Sequence, residues 1–157
     1  MGMNSDLLLN HFVGRDDVIA KQYPGGNFKP YVETPPSQTV FDTDHRAGKV
    51  CYGFYPMRAD NTVMLACVDI DNHENDPNPE WRKEVEKLYY YLVEQNFPVY
   101  VEHSANSGAH IWLFFNQPVE AYKPRAFFRL IAGQLDMSLN EVFPKQERLR
   151  GKGYGNL

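Results

Sequence analysis

Cysteine is nearly missing from this sequence. Only two occur in 157 residues, Cys51 and Cys67. That is too few for a disulfide framework, and a cysteine-based zinc site is not expected either. Both lie in apolar, strand-like runs and are expected to be buried thiols in a reducing cytoplasm. Long hydrophobic runs are missing as well: none approaches the roughly 20 residues needed to span a bilayer. The opening "MGMNSDLLLNHF" lacks the basic and apolar regions of a secretory signal. Neither internal repeats nor low-complexity segments occur. A P-loop, a GxSxG elbow and a setting for a cysteine nucleophile are all absent. Positive charge is in deficit, with a net charge of −4, which taken alone argues against a nucleic-acid partner.

The distribution of charge says more than its sum. Residues 121–157 hold seven Lys/Arg against three acidic residues, so this stretch carries +4 and the remainder −8. Such asymmetry suits an acidic, cation-binding centre beside a basic flank that meets phosphates; a solvated basic face is the other reading. The length fits one domain with a real core. A hydrophobic content of 43% with 23% charged residues marks the chain as globular.

Periodicity places the elements. Residues 5–13 read as a short helix capped near Ser5 or Asp6. "VIAKQY" reads as a strand and "YPGGNFKP" as a turn. A helix closed by Gly48 is expected after Pro35 and Pro36. "VCYGFYP" (50–56) and "TVMLACVDID" (62–71) are expected to pair as a hairpin through "MRADN". In the second run Val63, Leu65, Cys67, Asp69 and Asp71 share one face, and Met64, Ala66, Val68 and Ile70 face a helix layer. Residues 79–95 form a helix with Asn78 as cap, Pro79 at its first position, and a stripe of Trp81, Val85, Leu88, Leu92 and Val93. Two strands, "FPVYVEHSA" and "HIWLFFN", follow around a tight "NSG" turn. A second helix from Pro118 carries Phe127, Leu130, Ile131 and Leu135 on one side, and a short strand "EVF" comes next. The order β-α-β-β-α-β predicts an α+β fold, a ferredoxin-like or RNA-recognition-like core with helices on one face of an antiparallel sheet.

Three stretches carry chemistry. Asp69 and Asp71 are two carboxylates on one face of a strand end, a pattern that suits Mg²⁺ or Mn²⁺ and equally suits a strand dissolving into a polar loop. In "HSANSGAHIW", small residues (Ser104, Ser107, Gly108) precede His110. A tight turn of this kind lets backbone N–H groups approach phosphate oxygens, and it is also an ordinary hairpin turn. His103 reads as a strand residue, and His73 has no comparable setting. In residues 140–157, Glu141 is a candidate third carboxylate, and Lys145, Arg148, Arg150 and Lys152 are candidates for triphosphate or template backbone.

Taken together, these stretches resemble the archaeo-eukaryotic primase superfamily, the primase–polymerases. The resemblance rests on "VDID", "SANSGAH" and "NEVF" in order, and on "GRDDV" (14–18), "GAHIWLFF" (108–115), "FPKQ" (143–146) and "GYGNL" (153–157). It is nearest to the phage, mobile-element, CRISPR-associated and TOTE conflict-system branch. It implies an RNA-recognition-like catalytic core (about 50–157) beside a small N-terminal α/β unit (about 1–49). It also implies template-directed nucleotidyl transfer from nucleoside triphosphates on single-stranded DNA, with two Mg²⁺ or Mn²⁺ ions. Asp69, Asp71 and Glu141 would hold the ions. The third acidic position is shared among Asn140, Glu141 and Glu147 as alternatives. His110 would contact the triphosphate, with Ser104, Ser107 and Gly108 around it, and Lys145 would meet phosphate or template. Glu74 and Asp76 are then loop residues. Relatives continue past "GNL", so a longer parent with helicase or other domains is expected. A non-catalytic single-strand-binding module and a metal-dependent nuclease are the rival readings.

Overall fold

Among the described residues, two antiparallel sheets and two helices carry the fold. The computed structural model describes residues 10–32, 37, 40–71, 80–104, 108–139, 141–151 and 153–156. The expected helix caps at Ser5, Asp6, Asn78 and Pro79 lie outside these residues. So do Ser107, Asn140 and Lys152, and the loop residues His73, Glu74 and Asp76. In chain order the strands are β1 (Ile19–Gln22), β2 (Phe28–Tyr31), β3 (Tyr52–Phe54), β4 (Thr62–Asp71), β5 (Val99–His103), β6 (Gly108–Glu120) and β7 (Glu141–Phe143). The helices are α1 (Glu80–Glu94) and α2 (Tyr122–Gln134), with one helical turn at Phe41–His45. Gly48, with φ +69°, closes that turn by donating its N–H to the His45 carbonyl at 2.9 Å, as expected.

The larger sheet has the order β5-β6-β4-β7, all antiparallel. Counted from β4, this is the β-α-β-β-α-β topology of a ferredoxin-like core, so the α+β plan holds. Alternation along β4 decides which face is covered. Ala66, Val68 and Ile70 are buried with Ala109, Ile111 and Leu113 of β6 and Val142 of β7 under both helices. The helices contribute Val85, Leu88 and Leu92 from α1 and Phe128 and Ile131 from α2. Each fully buried side chain of this size stabilises the fold by about 1.5–3 kcal/mol.

Local chemistry ends the helices. Asn96 (φ 62°) follows α1, and Phe97 donates back to the Leu92 carbonyl at 3.0 Å. Asp136 (φ 50°) follows α2, and Met137 donates to the Ala132 carbonyl at 2.9 Å. Both are left-handed caps, at positions where asparagine and aspartate are tolerated.

Four expectations need correction. β3 does not form a hairpin with β4. It pairs with β1 in the smaller sheet, order β2-β1-β3, while β4 is flanked by β6 and β7. Pro56 has no N–H to donate to a ladder, and the chain turns at Arg58–Thr62 after leaving the first sheet. Cys51 is exposed, because it precedes β3 rather than lying within it. Val93 (43% exposed) and Leu130 (64% exposed) leave their stripes, since each is one residue, about 100°, away from the buried neighbours Leu92 and Ile131. Finally, α2 starts at Tyr122, because residues 118–120 extend β6. Opposite them a register shift interrupts β4 between Val63 and Leu65, and Val63 is buried with Met57 and Ala121 in a separate cluster.

The smaller sheet is tied to both ends of the described chain. The Arg15 guanidinium forks onto Asp17 at 2.7 and 2.6 Å and lies 5.1 Å from the Tyr154 ring centroid. Gly14 is pressed against Tyr55, where a Cβ would fall 2.0 Å from the carbonyl oxygen. The "GRDDV" and "GYGNL" stretches therefore meet in space. Among the described residues, no helix is long and apolar enough to cross a membrane.

Candidate active site

The face of the larger sheet away from the helices carries the polar cluster. Register sets its geometry: Glu102 of β5 stands opposite His110 of β6, His110 opposite Asp69 of β4, and Asp69 opposite Glu141 of β7. These four side chains form one row across the sheet, because directly paired residues point to the same side. Asp71 is two residues further along β4 on the same face, opposite Gly108. Asp69, Asp71, His110 and Glu141 therefore come together, and Gly108 is their backbone neighbour.

Asp69 is the centre of the row. Its side chain is 17% exposed, and Oδ1 is buried without a hydrogen-bond partner. His110 Nε2 lies 3.6 Å from Oδ1. Burial raises the Asp69 carboxyl above its ordinary range; His110 pulls it down, while Asp71 and Glu141 push it up further. An unsatisfied carboxylate beside two others is a site of unrelieved negative potential. A hard divalent cation relieves it, and oxygen donors of this kind suit Mg²⁺ or Mn²⁺. The donor set fits such an ion. As placed, Glu141 is engaged instead by Lys145 Nζ at 2.7 Å, and among the described residues no three His, Cys, Asp or Glu groups close around an ion position. Cys67 lies one pleat away, and burial, with Asp69 and Glu102 nearby, raises its thiol well above the usual range, so it stays protonated.

His110 is held from the other side. The Glu102 carboxylate Oε2 lies 3.0 Å from His110 Nδ1 and accepts from Trp112 Nε1 at 2.9 Å. With Nδ1 turned to Glu102, Nε2 is the nitrogen that faces Asp69. Glu102 is a functional candidate that the motif reading passed over. Its signal was present: alternation puts Tyr100 and Glu102 on one face of "VYVEH", and a hairpin through residues 104–108 pairs Glu102 with His110. Ser104 donates its N–H to the Gly108 carbonyl at 3.0 Å and closes that hairpin. His103 ends β5, as expected for a strand residue.

A cavity of about 260 Å³ opens over Asp69 and His110, the middle of the row. Asp69, His110 and Trp112 form its floor, and Tyr52, Phe54 and Pro56 of the smaller-sheet side form its wall. Phe12 joins the two sheets through edge contacts with Phe54, Trp112 and Phe114 at 5.1–5.4 Å. Phe12 thus covers Trp112 and Phe114, while Tyr100, on the face of Glu102, stays 56% exposed. Burial, together with nearby Asp44 and Tyr31, raises the Tyr52 hydroxyl.

A smaller hollow on the other side of Asp69 is lined by Asp71, Glu84, Ser138 and Glu141. Beyond β7, Arg125, Lys145, Arg148 and Arg150 border an open, basic hollow of about 620 Å³ that also takes in Glu147. Arg125 is partly structural there, donating to the Val142 and Pro144 carbonyls at 3.3 and 2.8 Å. Glu147 faces Arg125 and Arg129 at 4.0 and 3.9 Å rather than the carboxylate row. Of the alternatives for the third acidic position, Glu141 is in the row and Asn140 lies outside the described residues.

Comparison with known proteins adds one positive finding. Residues 32–157 match the family described as "TOTE conflict system, Archaeo-Eukaryotic Primase domain". The match includes every residue of the row and all of the basic flank. A search of curated proteins finds no match.

Proposed function

The chain belongs to the archaeo-eukaryotic primase domain family of TOTE conflict systems, and from that premise we propose that it is a template-directed nucleotidyltransferase. It takes nucleoside triphosphates and a single-stranded DNA template and extends a chain by attack of a 3′-hydroxyl on an α-phosphate. The observation that carries the proposal is the cross-strand row Glu102–His110–Asp69–Glu141 with Asp71 beside it, under a cavity bordered by the smaller sheet.

Each residue has a role in this reading. Asp69 and Asp71, with Glu141, hold two divalent ions, Mg²⁺ or Mn²⁺. Bound there, the ions supply charge neutralisation at the phosphates and a more acidic attacking hydroxyl. Glu141 would exchange its pairing with Lys145 for the ions, and the Lys145 ammonium would then be available to a phosphate oxygen. His110 lines the cavity and would meet the triphosphate there, while Glu102 holds the ring through Nδ1. Backbone N–H groups at the turn before β6 are the candidates for phosphate contact. Ser104 borders that turn, and Ser107 is a candidate by sequence alone. The protein's share of catalysis is then positioning and charge, which suits nucleotidyl transfer.

The rival reading, a sheet that binds single strands by stacking alone, needs exposed rings on the open face. Phe12 covers Trp112 and Phe114 there, and stacking alone gives no role to the carboxylate row beside Tyr100, which stays exposed on that face. Incubation with oligodeoxynucleotide template, nucleoside triphosphates and Mn²⁺ tests the proposal. The wild-type chain is expected to make templated product, and Asp69→Ala with Asp71→Ala is expected to make none with the fold intact by circular dichroism. Equal synthesis by the double variant would contradict the assignment. Cleavage of labelled DNA without nucleotides would assign the site to a nuclease instead.

A further inference from the structure

The smaller sheet carries a feature that the carboxylate row does not use. Lys29 of β2 stands opposite Lys21 of β1, and Lys21 opposite Tyr52 of β3. The next row on the same side is Tyr31, Ile19 and Phe54. Paired residues and those two apart share a face, so both rows look the same way. Tyr52 and Phe54 end these rows inside the cavity over Asp69 and His110. The two lysines are therefore the outward continuation of the cavity wall.

Like charges directly opposite each other on a sheet repel. Among the described residues neither lysine forms an ion pair with a carboxylate. Aromatic rings take that place. Lys21 Nζ lies 4.9 Å from the Tyr31 ring centroid and 6.0 Å from that of Tyr23, and Lys29 Nζ lies 5.8 Å from Tyr23. Tyr23 is 39% exposed. Two cations that repel each other attract anions; Tyr23, exposed between them beside the half-buried Tyr31, attracts flat, unstacked partners. A bare phosphate or an acidic protein surface uses only the lysines, whereas a single nucleic-acid strand uses both.

We propose that the face bearing Lys21, Lys29, Tyr23 and Tyr31 binds single-stranded DNA, with phosphates on the lysines and bases against the tyrosines. The strand then runs along the smaller sheet towards the cavity. That this strand is a template rests on the polymerase reading; its binding to this face does not.

Fluorescence anisotropy of labelled oligothymidine with the full chain, over a series of salt concentrations, tests it. For Lys21→Ala with Lys29→Ala, the slope of log K against log salt is expected to fall by roughly 1.4, at about 0.7 per single-strand phosphate contact. Tyr23→Ala with Tyr31→Ala is expected to weaken binding about tenfold at an unchanged slope. Lys21→Arg with Lys29→Arg keeps the binding. If the alanine pair does not fold by circular dichroism, Lys21→Gln with Lys29→Gln is read in the same way. No binding by the wild-type chain, an unchanged slope in a folded lysine variant, or unchanged affinity in the tyrosine variant overturns the proposal. So does equal lysine-dependent binding of polyglutamate, which would assign the face to acidic proteins. A chain that binds DNA through this face but makes no templated product loses the polymerase reading and keeps this one.

Discussion

Replacing Gly108 with alanine should damage the molecule at the point where its site is assembled. Gly108 begins β6 opposite Asp71 and adopts φ +139°, a conformation that side chains rarely tolerate. A Cβ there would fall 2.5 Å from the Ile70 carbonyl oxygen and 3.2 Å from Asp71 Cα. Both neighbours are backbone, so no side chain can swing away. The ends of β4 and β6 must part by roughly half an ångström, at a cost typical of overpacking, about 1–3 kcal/mol. The backbone conformation adds about 1–3 kcal/mol. A combined loss of about 3 kcal/mol lowers Tm by about 6–12 °C in a domain of this size. Thermal unfolding followed by circular dichroism measures it. Gly133→Ala is the control: it lies inside α2 with nothing within 4 Å of its Cβ, so alanine there should be neutral or stabilising by about 0.5–1 kcal/mol. A Gly108→Ala melting point within about 2 °C of wild type would refute the close approach of these strands.

Two further outcomes follow from particular contacts. If Glu102 acts through His110, Glu102→Ala should raise the KM for nucleotide about tenfold or more, and Glu102→Ala with His110→Ala should be no worse than His110→Ala alone. Additive losses in that cycle would give Glu102 a separate role, and Glu102→Gln, which keeps an acceptor oxygen, should recover part of the loss. Asp60 accepts from the Thr62 N–H and hydroxyl at 3.0 and 2.6 Å, and these bonds hold its carboxyl below the ordinary range. Its stabilisation is therefore present at neutral pH and lost as pH falls through the lowered folded value. The stability gap between wild type and Asp60→Ala, no more than about 1 kcal/mol for so exposed a group, should close between about pH 4 and pH 2. Chemical denaturation across that range reads it, and a gap that persists at pH 2 would contradict the assignment.

Much of the fold was legible from the end of β4, beyond its register shift. Parity alone put Asp69 and Asp71 on one face and Ala66, Val68 and Ile70 on the other, and burial agrees. The partner of β3 was not legible. "VCYGFYP" and "TVMLACVDID" are both β-rich and close in sequence, and local composition cannot reveal that β1, some thirty residues upstream, provides the ladder. The helical stripes were correct to within one residue, but one residue is 100° of arc, enough to expose Val93 and Leu130. The row itself needed the sheet order. Asp69, His110 and Glu141 lie far apart in sequence, and only β6-β4-β7 adjacency aligns them. Glu102 escaped notice because it belongs to no motif; its importance lies in a register visible only once β5 and β6 are paired.

The central claim is that Asp69 and Asp71 hold divalent ions that in turn hold a nucleoside triphosphate over the row. Calorimetric titration of a nucleoside triphosphate into the chain, with Mn²⁺ and then with EDTA, tests it most directly. Tight binding is expected only with Mn²⁺ in the wild-type chain, and it should be lost in Asp69→Asn with Asp71→Asn while the melting curve stays cooperative. Equal affinity in EDTA, or Mn²⁺-dependent binding that survives in the double variant, would contradict the account.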